Sequence, residues 1–284
     1  MARRKTEEEN EGSFRKATPI SKVKEKIVPV EGLLGKLTVL AYGKSGTGKT
    51  TFASSALDLK PVMPKAKKVL FLDISEEGTD SIYNLPDTFV IPIETWDDFE
   101  GVHNYLKKEH HDYKAVVIDT VTQLQRLAME EAKRRANLDV EAAMSQRAWG
   151  FLSSMTQPKL IDYRDLPMHV IFTAQPRRTE NDDDDEDELN QDVGPAVIPS
   201  IATTLNAMVK VIGQTYITQK EKRVKGKIKI STTYRLRLGP HQNYITKVRC
   251  PKSFFVPSSI PDPNLKTIVD IIRGNYGKAK QQKS

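Results

Sequence analysis

The sequence contains very little cysteine and no long apolar run. Its single cysteine, Cys250, excludes an intramolecular disulfide and is typical of a reducing compartment. The five histidines and the cysteine show no spacing typical of metal ligands, so we expect no structural zinc site. No stretch approaches the roughly 20 apolar residues of a membrane-spanning helix. The N-terminal segment also lacks the apolar stretch of a signal peptide.

Charge is unevenly distributed along the chain. The formal net charge is +7, yet Glu180–Glu188 contains eight acidic residues and no basic one, so +7 without the −8 of this run leaves +15 elsewhere. A basic body indicates an acidic partner, with nucleic acid as the first candidate, and simple solubility is the alternative. For the acidic run itself, a solvated loop is the simplest interpretation, and gating of DNA access or binding of a basic partner are the others.

The composition predicts one folded domain between two charged tails. Residues 1–25 combine Lys, Arg and Glu with almost no apolar residues, which is typical of a flexible tail. Residues 276–284 have the same character and predict a basic C-terminal tail. The domain is predicted over residues 26–275, with a mobile acidic loop over residues 176–194.

Short apolar runs alternate with helical patterns within this domain. The runs are rich in Val, Ile and Leu and almost continuous, which is typical of strands covered on both faces; they are residues 37–42, 69–73, 89–93, 115–119 and 169–174. Helices are predicted over residues 50–59, 95–106, 123–136, 142–160, 201–210 and 265–272. This alternation predicts an α/β fold with a mostly parallel central sheet flanked by helices. The basic segment Lys220–Lys229, between two β-rich stretches, predicts a C-terminal β-hairpin.

The strongest motif follows the first apolar run. It matches the phosphate-binding pattern GxxxxGK(S/T) over Gly43, Lys44, Ser45, Gly46, Thr47, Gly48, Lys49 and Thr50. The glycines let successive backbone N–H groups point at phosphate oxygens, and the following helix directs its positive end to the same place. We expect Lys49 to reach the β- and γ-phosphates, the Thr50 hydroxyl to bind Mg²⁺, and Thr51 to complete the nucleotide-binding set.

Asp119 closes the apolar run AVVID and is the second candidate ligand. A buried strand rarely carries a charge, and an acid at the carboxyl end of a parallel strand faces the crevice where ligands bind. We therefore predict that Asp119 holds Mg²⁺, as a Walker B aspartate does. The alternative is that Asp119 caps the following helix.

Hydrolysis also needs a group that orients the attacking water. Glu76 and Glu77 follow the second apolar run, and we predict Glu76 for this role. A pair of solvated loop acids is one alternative, and Asp73 as the catalytic acid is another. Gln175 ends the fifth run, where its amide could sense the γ-phosphate and pass its state to the next loop; a plain strand-end glutamine is the other interpretation.

The order of these motifs resembles the RecA/KaiC-like ATPases. The likeness is carried by LTVLAYGKSGTGKTTFA, VLFLDISEEGTDSI, YKAVVIDTVTQL and HVIFTAQPRR, and it covers about residues 30–275. Closer still, the chain is similar to the phage nucleotide-binding proteins of the core-only RecA-like type, which include single-strand-annealing recombination proteins. The resemblance implies a RecA-like P-loop NTPase core that hydrolyses ATP with Mg²⁺. It also implies a homo-oligomeric ring or filament with ATP at subunit interfaces, acting in DNA recombination or replication in the cytoplasm of a host.

The resemblance assigns a role to two basic residues near the end of the domain. Lys247 and Arg249 are spaced i, i+2 and so share one strand face. In RecA-like rings and filaments, basic residues at this place reach the γ-phosphate held by the neighbouring subunit, where positive charge offsets transition-state charge. Surface charge or nucleic-acid contact is the alternative.

Single-stranded DNA is the partner that the resemblance implies, but the expected contact loop departs from the family. That loop contains the acidic run, which repels a phosphate backbone, so only Arg177 and Arg178 could contact DNA there. Lys220–Lys229 contains six basic residues and one acid, and predicts phosphate contact without base stacking; an exposed charged edge hairpin is the alternative. Phe14–Ala17 has the FxxA spacing with which some RecA relatives hold a neighbour.

Three functions follow from these motifs. The first is an ATPase of the phage recombination type that oligomerises and binds single-stranded DNA. The second is a nucleotide-switched module that binds a protein, such as a phage or host replication or recombination protein, with little turnover. The third is a helicase-like motor core, although no accessory helicase domain is recognisable.

Overall fold

The computed structural model describes residues 35–74, 78–178, 193–224 and 227–277. Within these ranges the strands are β1 Thr38–Tyr42, β2 Lys68–Asp73, β3 Thr88–Pro92, β4 Tyr113–Asp119, β5 His169–Ala174, β6 Pro176–Arg178, β7 Val193–Pro195, β8 Val211–Val224, β9 Lys227–Arg237, β10 Lys247–Val248 and β11 Ser259–Pro261. The α-helices are α1 Lys49–Ser54, α2 Trp96–Lys108, α3 Val121–Arg135, α4 Gln146–Asp165, α5 Pro199–Met208 and α6 Leu265–Ile272. The tail predicted over residues 1–25, with its Phe14–Ala17 pattern, lies outside the described residues.

One central sheet positions the motif residues. Among the described strands its order is β11–β9–β8–β1–β5–β4–β2–β3, and β10 also pairs with β8. The pairs from β8 to β3 are all parallel, whereas β9, β10 and β11 join antiparallel. The predicted fold class is confirmed in its architecture: an α/β core whose mostly parallel sheet is flanked by helices, with β8 and β9 as the C-terminal hairpin. Because parallel strands point the same way, the carboxyl ends of β1, β2, β4 and β5 meet at one edge.

Helices cover both faces of the sheet because side chains alternate along each strand. In β1, Leu40 and Tyr42 pack into the core shared with α2, α3, α4 and α5. Val39 and Ala41 point the other way, into the core shared with α1 and α6. Each fully buried side chain of leucine size contributes ~1.5–3 kcal/mol, so the edge that carries the motifs is held between two packed layers.

The apolar run of β3 predicts burial on both faces, and this prediction is wrong. β3 is the edge strand of the sheet and pairs only with β2 among the described strands. Phe89 and Val90 are 41% and 46% exposed, and the Lys68 ammonium lies 5.0 Å from the Phe89 ring centre. The apolar composition of the run is the same as that of a central strand, so strand order decides its burial.

Capping side chains explain where two of the helices begin. Thr95 and Asp98 form a reciprocal capping box at the start of α2. Helix α4 begins later than predicted: the Ser145 hydroxyl accepts the Ala148 N–H and caps the helix, whereas Ala142 lies in a preceding turn. Among the described helices, none combines the length and apolar character of a bilayer span.

The loop predicted over residues 176–194 is paired at both of its ends. Strand β6 pairs antiparallel with β7, so that Pro176 lies opposite Pro195 and Arg178 opposite Val193. A ribbon therefore stands at the edge of the sheet just beyond β5. The acidic run itself, and the interpretations given for it, lie outside the described residues.

His169 joins three segments of the fold and is expected to make stability depend on pH. Its Nδ1 accepts the Leu37 N–H at 2.9 Å, and its Nε2 lies 2.8 Å from the Lys60 carbonyl oxygen, so the neutral ring donates there. Burial lowers the pKa of His169 below its ordinary value of 6.5, and the Lys114 and Lys210 charges act in the same direction. As pH falls through 6.5 the unfolded chain therefore takes up a proton before the folded chain does.

Stability should consequently be complete above about pH 7 and decline as pH falls toward 5. We expect His169→Gln to be less stable at pH 7 by ~1–3 kcal/mol and to show a shallower decline between the two pH values. Urea unfolding of both proteins across this range measures both effects. The slope should not vanish, because burial also lowers the pKa of His103. Equal slopes in the two proteins would contradict the assignment.

Candidate nucleotide-binding site

The glycine-rich segment forms a tight loop between β1 and α1. Gly46 and Gly48 have φ angles of 73° and 84°, in the left-handed region that glycine adopts at little cost. Gly43 is instead enclosed, since a Cβ added there would lie 2.5 Å from the Thr215 carbonyl oxygen of β8. The Gly43 N–H donates to the Ala174 carbonyl oxygen at 3.1 Å. The start of the loop is therefore fixed by both strands that flank β1.

Polar contacts hold the rest of the loop. The buried Lys49 ammonium donates to the carbonyl oxygens of Gly43 and Lys44 at 2.9 and 3.1 Å. The Thr47 hydroxyl donates to the Lys44 carbonyl oxygen and also lies 2.7 Å from the Thr215 hydroxyl. Of the other predicted loop residues, Gly48 and Thr50 are partly exposed, and four are solvent-exposed, namely Lys44, Ser45, Gly46 and Thr51. The middle of the loop is therefore accessible to a ligand, and the Lys49 ammonium is held against the carbonyl oxygens at the start of the loop.

A carboxylate lies directly beside this loop. Asp119, at the end of β4, is only 5% exposed, and its Oδ2 accepts a 2.8 Å hydrogen bond from the Thr50 hydroxyl. Its Oδ1 accepts a hydrogen bond from the Thr173 hydroxyl of β5. The structure thus brings together Thr50 and Asp119, which are 69 positions apart. The alternative of Asp119 as a helix cap does not hold, because Thr120 caps α3 by accepting the Gln123 N–H.

Comparisons with known proteins bear on this geometry. The sequence profile of the AAA domain family matches residues 35–250. The chain belongs to the AAA domain family. Among solved structures it is similar to the flagellar accessory protein FlaH from Methanocaldococcus jannaschii, with 11% identity over 72% of this chain and 77% of that chain and a TM-score of 0.36. It is also similar to the RadB recombinase, with 16% identity over 69% of this chain and 86% of that chain and a TM-score of 0.34. No curated protein matches the sequence.

Family membership makes this chain a P-loop ATPase domain, and nucleotide is the ligand class of its glycine-rich loop. The residues of the AAA domain also fit the Mg²⁺ that accompanies such nucleotides. The Thr50 hydroxyl oxygen and an Asp119 carboxylate oxygen lie 2.8 Å apart, and hard divalent cations prefer oxygen ligands of this kind. Within the described residues no separate cluster of metal-binding side chains occurs.

Gly78, which follows β2 in the chain, also lies near Thr50 and Asp119. Gly78, the first described residue after residue 74, lies close to both ligands: a Cβ added there would be 3.7 Å from Thr50 Oγ1 and 4.0 Å from Asp119 Oδ2. Asp73, the alternative catalytic acid, accepts a 2.9 Å hydrogen bond from the Thr79 hydroxyl. Glu76 and Glu77 lie outside the described residues, so the water-orienting role of Glu76 stays a prediction.

Gln175 occupies the position between the loop and Asp119. It follows β5, which lies between β1 and β4 in the sheet. Its backbone N–H donates to the Thr122 hydroxyl at 3.0 Å, and its carbonyl oxygen accepts the Ala196 N–H at 2.7 Å. These contacts join Gln175 to α3 and to the segment that follows β7. The role of Gln175 as a γ-phosphate sensor stays a prediction.

Sequence reasoning missed three side chains of the AAA domain site. Thr173 binds Asp119, and Thr215 binds the Thr47 hydroxyl of the loop. Tyr234 of β9 packs on the loop from outside: a Cβ added at Gly48 would lie 3.2 Å from Tyr234 Cδ1, and the ring is 44% exposed. Only Thr173 carried a signal, as a polar residue near the carboxyl end of a buried strand.

Lys247 and Arg249 lie on a different part of the AAA domain. Lys247 donates to the Asn206 carbonyl oxygen and Arg249 to the Ala207 carbonyl oxygen, so both cations meet the C-terminal end of α5. Positive charge is favourable there because the helix dipole is negative at that end. Burial lowers the pKa of Lys247 to about 8, and the Arg249 charge acts in the same direction. Contact of either residue with the nucleotide of a neighbouring subunit stays a prediction.

Proposed function

We propose that this chain binds Mg·ATP, hydrolyses it, and acts as a phage-type RecA-like protein in DNA recombination or replication through oligomerisation and single-stranded DNA binding. The observation that carries the proposal is the Thr50–Asp119 hydrogen bond beside the glycine-rich loop. It joins the two side chains that a phosphate-bound Mg²⁺ requires, at the edge of a parallel sheet where such ligands bind. The phage and recombination parts rest on the sequence resemblance.

The chain's own residues have separable tasks in this proposal. The loop N–H groups bind the phosphates, and Lys49 exchanges its present carbonyl partners for β- and γ-phosphate oxygens. Thr50 and Asp119 would hold the Mg²⁺, which when bound neutralises developing charge on the phosphates. Glu76 would orient the attacking water, and Gln175 would carry the state of the γ-phosphate to β6 and β7.

Charge supports the DNA-binding part of the proposal, and the oligomerisation part rests on the resemblance. The net charge of +7 and the exposed Arg177 and Arg178 favour a phosphate-bearing partner. The strands β8 and β9 are longer than β1, which lies beside them, and the basic segment Lys220–Lys229 spans the end of β8 and the start of β9 in the sequence. Lys247 and Arg249 are the candidates for contact with the ATP of a neighbouring subunit.

Phosphate release with and without single-stranded DNA tests the proposal, with Lys49→Ala as the inactive control. We expect Mg²⁺-dependent turnover that DNA stimulates, and light scattering should show a larger particle when ATP is present. A protein that neither binds ATP nor changes mass with nucleotide would refute the proposal. Robust phosphate release that collapses in Glu76→Gln would reject the low-turnover switch, whereas negligible release by the wild type would favour it.

Tyr234 is expected to contribute to nucleoside binding in this site. Its half-exposed ring lies at Gly48, next to the residues that hold the phosphates, where a base can stack on it. We expect Tyr234→Ala to weaken ATP binding about 5- to 10-fold, as the loss of roughly 1–1.5 kcal/mol of ring contact implies, and Tyr234→Phe to bind as the wild type does. Binding of inorganic tripolyphosphate should be equal in all three proteins. An equal loss for ATP and tripolyphosphate would show that the ring supports the loop instead.

A further inference from the structure

A second cluster of aromatic and basic side chains lies at the base of the hairpin. The Arg237 guanidinium lies 4.8 Å from the Tyr216 ring centre and 4.5 Å from the Tyr244 ring centre. The His241 ring meets Tyr244 edge to face at 4.8 Å. We call Tyr216, Arg237, His241 and Tyr244 the Arg237 platform. All four residues are partly exposed, so part of each side chain is accessible to a ligand.

Among the described residues, the guanidinium groups at this platform form hydrogen bonds and ring contacts rather than ion pairs. Within residues 35–74, 78–178, 193–224 and 227–277, no ion pair includes Arg237 or the adjacent Arg235. Arg235 donates instead to the Tyr216 hydroxyl at 3.2 Å and to the Ser259 hydroxyl at 2.9 Å. Both guanidinium groups therefore keep their charge available to an anionic ligand.

The platform continues into the ribbon formed by β6 and β7. Val193 pairs with Arg178 on one side and forms a bridge with Tyr244 on the other. The Val193 N–H donates to the Asn243 carbonyl oxygen at 3.0 Å, and the Val193 carbonyl oxygen accepts the Ile245 N–H at the same distance. Strand β7 therefore lies directly between the exposed arginines of β6 and Tyr244, so that the arginines and the platform belong to neighbouring segments of one surface.

Hydrogen bonds connect the platform to the nucleotide loop. Arg237 donates to the Gln214 side-chain oxygen at 3.2 Å, and the Gln214 amide donates to the Thr215 carbonyl oxygen at 3.1 Å. The Thr215 hydroxyl lies 2.7 Å from the Thr47 hydroxyl of the glycine-rich loop. Gln214 and Thr215 of β8 therefore connect the platform to the glycine-rich loop. This chain of hydrogen bonds is a physical route by which a displacement of the loop changes the position of Arg237.

We infer that the Arg237 platform stacks the bases of single-stranded DNA, with Arg177 and Arg178 contacting phosphates, and that Thr215 couples this binding to nucleotide. Aromatic rings interleaved with arginine are the chemistry of sequence-tolerant single-strand binding, because every base has a π-face. The inference rests on the proposed function, and it supplies the stacking surface that the basic segment Lys220–Lys229 lacks.

Fluorescence anisotropy with a labelled 30-nucleotide oligothymidylate and an abasic oligonucleotide of equal length tests the inference. Tyr244→Leu removes the π-face while keeping apolar bulk, and Tyr244→Phe is the matched control. We expect the wild type to prefer the oligothymidylate, and Tyr244→Leu to lose about 5- to 100-fold of that affinity while binding the abasic strand unchanged. Tyr244→Phe should behave as the wild type. The affinity of the wild type for the oligothymidylate should change with ATP, and in Thr215→Val this change should be lost even at an ATP concentration that titration shows to saturate the variant; an unchanged ATP effect in the saturated variant overturns the coupling.

Each outcome bears on the inference separately from the proposed function. Unchanged oligothymidylate binding by Tyr244→Leu overturns the platform while leaving ATP turnover and DNA binding in place. If Tyr244→Leu melts at a lower temperature, Arg237→Gln, which keeps both rings, must show the loss instead, and normal binding by that variant also overturns the platform. A wild type that binds neither oligonucleotide overturns the platform and the DNA-binding part of the proposed function together, and phosphate release without DNA then shows whether the ATPase part stands.

Discussion

Asp119→Asn is expected to lower ATP turnover by at least about 100-fold, the loss that ~2.7 kcal/mol of transition-state stabilisation implies. Both oxygens of the native carboxylate accept hydrogen bonds, one from Thr50 and one from Thr173. Asparagine has the same shape and can still bond both hydroxyls, since a hydroxyl can accept as well as donate. The negative charge that a Mg²⁺ ion needs is nevertheless gone. The variant should therefore remain folded while its Mg²⁺-dependent ATP hydrolysis is lost.

Phosphate release at several Mg²⁺ concentrations measures the effect, and thermal unfolding establishes that the variant is folded. Asp112→Asn is the matched control, because Asp112 is an exposed acid at the start of β4 whose ion-pair partner is Lys68. It should turn over ATP as the wild type does. The same change at Asp73 separates the two acids at the edge of the sheet. A requirement for higher Mg²⁺ concentration in Asp73→Asn but not in Asp119→Asn would place the metal ligand at the end of β2 and contradict the assignment to β4.

The sequence was sufficient to predict those parts of the site that adjacent residues encode. The glycine-rich loop lies between a strand and a helix, and its spacing alone locates Lys49 and Thr50. The position of Asp119 was also predictable. A single acidic residue that ends a buried apolar strand lies at the carboxyl end of that strand, which is where ligands bind in a parallel sheet. Chemistry that is local in sequence, or marked by an unusual residue in a regular pattern, can therefore be predicted from the amino-acid sequence alone.

The other contacts of the site depend on the order of the strands in the sheet, and no local sequence pattern predicts that order. Thr173 meets Asp119 because β5 lies between β1 and β4, and Thr215 meets Thr47 because β8 lies beside β1. The exposure of β3 has the same origin, since its apolar run is indistinguishable from that of a central strand. The platform around Arg237 combines residues from β8, β9 and the segment before β10, which no spacing along the chain brings together.

Gly43→Ala is expected to reduce both stability and ATP affinity, although the added methyl group touches no phosphate. The new Cβ would lie 2.5 Å from the Thr215 carbonyl oxygen, 2.9 Å from Thr47 Oγ1 and closer still to Thr215 Oγ1, and real Cβ atoms do not approach so near. The backbone oxygen cannot rotate away, so β8 must separate from the end of β1 or the loop must be displaced. We expect a loss of ~1–3 kcal/mol in the free energy of unfolding, the usual cost of overpacking, and at least about 10-fold weaker ATP binding.

Gly46→Ala is the informative control for this prediction. Gly46 has the φ angle of 73° that disfavours alanine, but an added Cβ would meet no atom within 4 Å. Its cost should be confined to backbone strain of ~1–2 kcal/mol, without displacement of β8. The two variants therefore separate strain within the loop from the contact between the loop and Thr215. Urea unfolding and ATP titration of both proteins decide the matter: if Gly43→Ala is as stable as the wild type, the loop does not rest on Thr215, and the proposed link from nucleotide to hairpin has no physical basis.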